Sequence, residues 1–172
     1  VFSYTVGEAK VLDSPWLIEK NGLSVFTRIF EADKSLSGES LAIAQGHSGK
    51  LASKSFGGVD LLVRKASDGV IALAVKGNAV DVDGGVNGLA IKVSNGKKKL
   101  RFKVYVWKGN EDELPKFAAI VKSDGNLENL AALTKGGPRR WVEDLETQGK
   151  LGEGKGPYVI DTLTPPFENP WN

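Results

Sequence analysis

The chain has 172 residues, 41% of them hydrophobic, and a formal net charge of +2, which suits one domain with a single core and gives no nucleic-acid footprint. It contains no cysteine, no methionine and one histidine, which excludes disulfides, a thiol nucleophile, haem attachment through C-x-x-C-H and a methionine axial ligand, and leaves little room for histidine-based metal or acid–base chemistry. No apolar run approaches the roughly 20 residues that span a bilayer, no signal peptide is expected within these residues, and without methionine the natural polypeptide is not expected to start at Val1.

The first strand is VFSYTV at 1–6, with Phe2, Tyr4 and Val6 on one face and a turn at Gly7-Glu8 leading into a strand at 9–12. Asp13-Ser14-Pro15 is expected to break that strand. Trp16, Leu17 and Ile18 form a short apolar run before Asn21-Gly22, a strong hairpin signal. Residues 23–30 carry apolar side chains on both faces and read as an interior strand. Short strands follow at 41–45, 59–64, 70–75 and 89–93, punctuated by Asp68-Gly69, Gly77-Asn78, Gly84-Gly85 and Asn95-Gly96.

The clearest strand is KKKLRFKVYVWKG at 97–109. Leu100, Phe102, Val104 and Val106 alternate with Lys99, Arg101, Lys103, Tyr105 and Trp107, and a period of two predicts one buried and one solvated face. Short strands with this turn spacing predict an all-β antiparallel sandwich. After Trp107 the pattern becomes helical. Asp112 is the expected cap and Pro115 lies in the first turn, with Leu114, Phe117, Ala118 and Val121 on one face. Asn126 is expected to cap a second short helix at 127–133. The division is therefore a β-sandwich core at 1–109, a helical annex at 110–137 and an extended Gly/Pro-rich tail at 138–172, with one short strand at 158–163 pairing with the core.

Four constellations invite a chemical reading. Asp81-Val82-Asp83-Gly84-Gly85 opens like a calcium loop, but Gly85, Val86 and Lys92 occupy the positions that need a ligand, a glycine and a glutamate. A strand edge with outward carboxylates is the simpler reading. His47, in Gly-His-Ser-Gly, has no third orienting group and reads as an exposed loop histidine; a haem ligand or hydrogen-bond donor to another module is the minor reading. Arg101 and Lys103 with Tyr105 and Trp107 form a basic, aromatic strand face suited to a glycan or single-stranded nucleic acid. Its plainer alternative is a solvated sheet face protected from edge pairing by lysines. Arg139 and Arg140, beside Trp141, either clamp an anion or pair with Glu143, Asp144, Glu146 or an adjacent domain. No P-loop, Rossmann, G-x-S-x-G or H-E-x-x-H motif occurs, no catalytic residue is assigned, and neither a metal nor a cofactor is expected in this chain.

The phrases EDELPKF at 111–117, LTKGGPRRW at 133–141, GPYVIDTLT at 156–164 and PPFENPW at 165–171 resemble a segment of large secreted proteins of Planctomycetes and Verrucomicrobia. Those proteins join haem-binding c-type cytochrome modules to a β-propeller like that of sorbosone-type sugar dehydrogenases, and the last phrase stands just before the propeller. The resemblance covers about the last third of the chain and carries no catalytic residue. It implies a module of a periplasmic or extracellular, sugar-oxidising parent, with the propeller and cytochrome modules as neighbours. Arg139, Arg140, Trp141, Phe167 and Trp171 are the expected docking residues. The expected function is a non-catalytic structural or docking module. The alternatives are a carbohydrate-binding module using Tyr105, Trp107, Arg101 and Lys103, and a fragment contributing to a shared redox site. No nucleic-acid partner and no membrane span are expected.

Overall fold

The computed structural model describes residues 1–33, 36, 40–45, 49–77, 80–83, 88–93, 99–125, 127–137, 147–156 and 158–163; for 80–83 and 88 only the backbone is described. Residues 1–135 form one compact unit and 136–172 a second.

The first unit is an antiparallel sandwich. Its strands are β1 (Phe2–Val6), β2 (Ala9–Lys20), β3 (Leu23–Ala32), β4 (Ser40–Gln45), β5 (Leu51–Phe56), β6 (Val59–Ala66), β7 (Gly69–Gly77), β8 (Val80–Asp83), β9 (Gly88–Val93) and β10 (Leu100–Gly109). Seven form a large sheet in the order β1-β2-β3-β10-β7-β6-β5, and three form a small sheet in the order β4-β9-β8. Two meanders, β1-β2-β3 and β5-β6-β7, are thus joined by β10, which pairs with β3 on one side and β7 on the other. The small sheet is built from the excursions between them.

The turn chemistry explains the meanders. Asn21 and Gly22 both have positive φ, 54° and 77°, the backbone a two-residue hairpin needs to follow the strands' twist. Gly77 lies opposite Phe102 in the ladder, and a Cβ there would fall 2.5 Å from the Arg101 carbonyl oxygen, so only glycine fits at this end of β7.

The expected break at Asp13-Ser14-Pro15 does not occur: β2 runs unbroken from Ala9 to Lys20. The reason lies in the pairing. β1 reaches only as far as Asp13, opposite Phe2. Beyond it β2 is an edge strand, where a proline without an N–H costs no ladder bond on the open side. Pro15 keeps its place opposite Arg28 of β3.

Two cores result, one on each face of the large sheet. On one face Phe30, Ala32, Ile71, Leu73, Leu100, Phe102 and Val104 pack against Leu89, Ile91 and Val93 of the small sheet, with Phe30 and Phe102 stacked at 5.0 Å. The row Leu17–Phe26–Val106 is less well covered: Phe26 is exposed, and Val106 is half-buried rather than buried as the alternation predicted. On the other face lies α1 (Leu114–Ser123), entered through a 3-10 turn at Glu111–Glu113. Glu113, not Asp112, is its N-cap, and Pro115 sits in the first turn as expected. Leu114, Phe117, Ala118, Ile120 and Val121 are buried against Val25, Leu61, Val63, Ala72, Tyr105 and Trp107. α2 (Leu130–Leu133) is shorter than expected and is capped by Asn129, whose side chain accepts from the Ala132 N–H; Asn126 lies outside the described residues.

In the second unit the expected strand at 158–163 does not form. Lys150 and Thr162 exchange two backbone hydrogen bonds of 2.8 Å, and the Gly152 N–H donates to Asp161 Oδ1 at 3.0 Å. Among the described residues, the backbone pairing of this stretch is with Lys150 of the same unit. Leu151, Tyr158, Ile160 and Leu163 are each exposed.

Candidate functional site

The odd-numbered face of β10 changes chemistry along its length. At the α1 end Trp107 stacks on Phe117, centroids 5.7 Å apart, and Tyr105 and Trp107 are 1% and 3% exposed. The aromatic face expected to meet ligand is the floor on which α1 packs. The helix follows β10 directly and folds back over it, so the rings bury their apolar area within the chain.

Next along the strand, Lys103 was expected in solvent and is buried. Its ammonium is compensated: Nζ donates to Asp124 Oδ2 at 2.7 Å and lies 5.4 Å from the Tyr105 ring centroid. Asp124 follows α1 and gathers this corner. Burial pushes its carboxyl up, but the hydrogen bonds from Lys103 and Tyr105 and the charges of Lys103 and Lys76 outweigh that and hold it below the ordinary carboxylate value. Burial, then the hydrogen bond to Asp124, pushes the Tyr105 phenol up. Lys76 donates to the Asp124 and Lys122 carbonyls at 2.6 and 3.4 Å, placing a cation at the helix C-terminus where the dipole favours it. Its ammonium is shifted down by burial and by Lys103, against the pull of Asp124.

At the far end Arg101 is half-buried and Lys99 exposed. Both converge on Glu31 of β3, which is 1% exposed. Arg101 Nη2 is 2.7 Å from Oε1 and Lys99 Nζ 3.4 Å from Oε2, and Oε1 also accepts from the Leu130 N–H at 2.8 Å. Glu31 thereby ties α2 to the sheet. This buried carboxylate lay in an apolar-looking strand, and only its two-residue offset from Ile29 placed it on the face of the basic residues.

α2 is set between two clefts. One, about 300 Å3, is lined by Lys10, Glu31, Asp33, Lys99 and Thr134 among others. The other, about 210 Å3, is lined by Ser14, Trp16, Thr27, Ile29, Lys103, Glu128 and Leu133. Trp16 stands opposite Thr27 in the β2–β3 ladder and is 73% exposed, whereas Thr27 is 2% exposed and its hydroxyl has no hydrogen-bond partner. Sequence reading passed over Trp16 as part of a short apolar run. Its two-residue spacing from Ser14 and Ile18, which puts all three on one face of β2, was the signal available.

Of the residues proposed from sequence, Arg101, Lys103, Tyr105 and Trp107 fall on one strand face but are taken up by separate structural partners. Arg139, Arg140, Trp141, Phe167, Trp171 and His47 lie outside the described residues. Asp81 and Asp83 lie on β8, opposite Lys92 and Ala90 of β9. Among the described residues no group of three or more His, Cys, Asp or Glu is placed to hold a metal ion, and no helix is long and apolar enough to cross a membrane. No protein-family model, curated protein or solved structure matches this chain.

Proposed function

We propose that this chain is a non-catalytic docking module of a larger secreted protein, in which a β-propeller follows it and haem-binding cytochrome modules share the polypeptide. One observation carries the reading. In the second unit Leu151, Tyr158, Ile160 and Leu163 are 77%, 90%, 84% and 83% exposed, on a stretch held by one pair of backbone hydrogen bonds between Lys150 and Thr162. Large apolar side chains gathered in solvent mark a contact surface. The sequence phrases at 156–171, which resemble those preceding a propeller, name the following domain as the occupant. The charged groups of the first unit fit a structural part too, since Glu31 holds α2 and Asp124 holds the end of α1 to β10. Glycan binding through Tyr105 and Trp107 is not part of the proposal, because α1 covers both rings.

Hydrogen exchange tests it. The amides of 158–161 and 163 are expected to exchange quickly in the 172-residue chain and to become protected in a polypeptide that continues into the following domain. Equal, fast exchange of these amides in both would overturn the docking role.

A further inference from the structure

We infer that the cleft between β2, β3 and the segment leading into α2 binds a neutral saccharide, with Trp16 as the platform. The cleft belongs to the first unit, and the inference does not rest on the docking role proposed for the second.

The first argument is the exposed indole. Trp16 projects from the edge portion of β2 with 73% of its surface in solvent, beside a cleft of about 210 Å3. An indole has an apolar face and a single N–H donor. A pyranose ring matches it, with C–H groups on its faces and hydroxyls around its edge. The second argument is the buried hydroxyl. Thr27 lines the same cleft, is 2% exposed, and its Oγ1 has no partner. A hydroxyl carries one donor and two acceptors, and a buried one is costly to leave unpaired. The oxygen is itself buried, so a ligand hydroxyl in the cleft pairs with it once the Thr27 side chain turns toward the cleft, and then supplies both a donor and an acceptor.

The remaining polar groups define the ligand class. The Lys103 ammonium has three donors, one of them directed to Asp124 at 2.7 Å, so it retains donors for ligand oxygens while its charge is already met. Glu128, which also lines the cleft, supplies an acceptor. The cleft therefore offers donors, an acceptor and an apolar platform without surplus positive charge. That favours vicinal hydroxyls on a neutral ring over a phosphate, a carboxylate or a nucleic-acid backbone. Leu133, 52% exposed and also lining the cleft, adds apolar surface to the polar groups, as in binding pockets generally.

The test uses the full chain. Isothermal titration and tryptophan fluorescence are measured with cellohexaose, xylohexaose, mannohexaose and maltohexaose as probes. At least one is expected to bind and to shift the emission of Trp16. Trp16→Ala is expected to weaken that binding about tenfold or more, and Trp16→Phe to retain part of it. Thr27→Val is the second variant. It removes an unpartnered hydroxyl at nearly constant shape, so the melting temperature should hold or rise while saccharide affinity falls. Failure of all four probes to bind would overturn the inference. So would binding that Trp16→Ala and Thr27→Val leave unchanged.

Discussion

The two faces of β10 are each buried over part of their length, by different means. Leu100, Phe102 and Val104 are closed over by the small sheet, and every side chain in that row is apolar. On the opposite face Trp107 and Tyr105 are buried by packing under α1, whereas Lys103 is buried by pairing with Asp124, and the half-buried Arg101 pairs with Glu31. A charged side chain leaves water only when a partner replaces its hydration. Here each partner comes from outside β10: Glu31 from β3, Asp124 from beyond α1.

The comparison can be broken most forcefully on the apolar face. Phe102→Ala is expected to cost about 3–5 kcal/mol in urea unfolding, and a loss below about 1 kcal/mol would show that the ring is not a core residue. Trp107→Ala should cost a similar amount, about 3–5 kcal/mol, because the Phe117 stack goes with it. If Trp107 were a solvent-facing platform, the change would fall within about 0.5 kcal/mol.

Smaller effects are expected where burial rests on pairing. Glu31→Ala should cost about 1–3 kcal/mol, since it leaves the Leu130 N–H without its acceptor and removes the Glu31–Arg101 ion pair. Glu31→Gln keeps an acceptor for Leu130 and should recover part of the loss. Equal losses in the two variants would mean that the hydrogen bond to α2 contributes nothing. For Asp124 the check is pH dependence. Its folded carboxyl lies below the ordinary value of 3.8, so the unfolded chain binds the proton first. The stabilisation is complete above the ordinary value and is lost as pH falls through the lower, folded one. The stability difference between the parent chain and Asp124→Asn should therefore shrink on acidification from about pH 5 to about pH 2; a difference that stays constant would contradict the pairing. The smallest effect concerns Pro15. On an open strand edge, Pro15→Ala should change stability by no more than about 0.5 kcal/mol.

Much of the fold was legible because turns and alternation are local. Asn21-Gly22 set the β2–β3 hairpin, and the period-two pattern at 99–107 gave β10 its two faces. Alternation sorts residues between faces but does not say what covers each face. That α1 folds back over Tyr105 and Trp107, and that Glu31 waits beside Arg101, are long-range facts. Pro15 misled for a related reason, since its effect depends on where β1 ends. The 158–163 stretch has the alternation of a strand, yet local pattern supplies no partner strand, and among the described residues only Thr162 pairs. Trp16 was visible as a residue but not as a site, because its significance comes from the unpartnered Thr27 hydroxyl across the ladder.

The most direct test of the account is residue-resolved oxidative footprinting of the intact chain. Trp16, 73% exposed, should be modified rapidly, while Trp107 and Tyr105, 3% and 1% exposed, should stay protected until the chain unfolds. Rapid modification of Trp107 or Tyr105 in the folded chain, with Trp16 protected, would contradict the placement of the core and of the candidate cleft together.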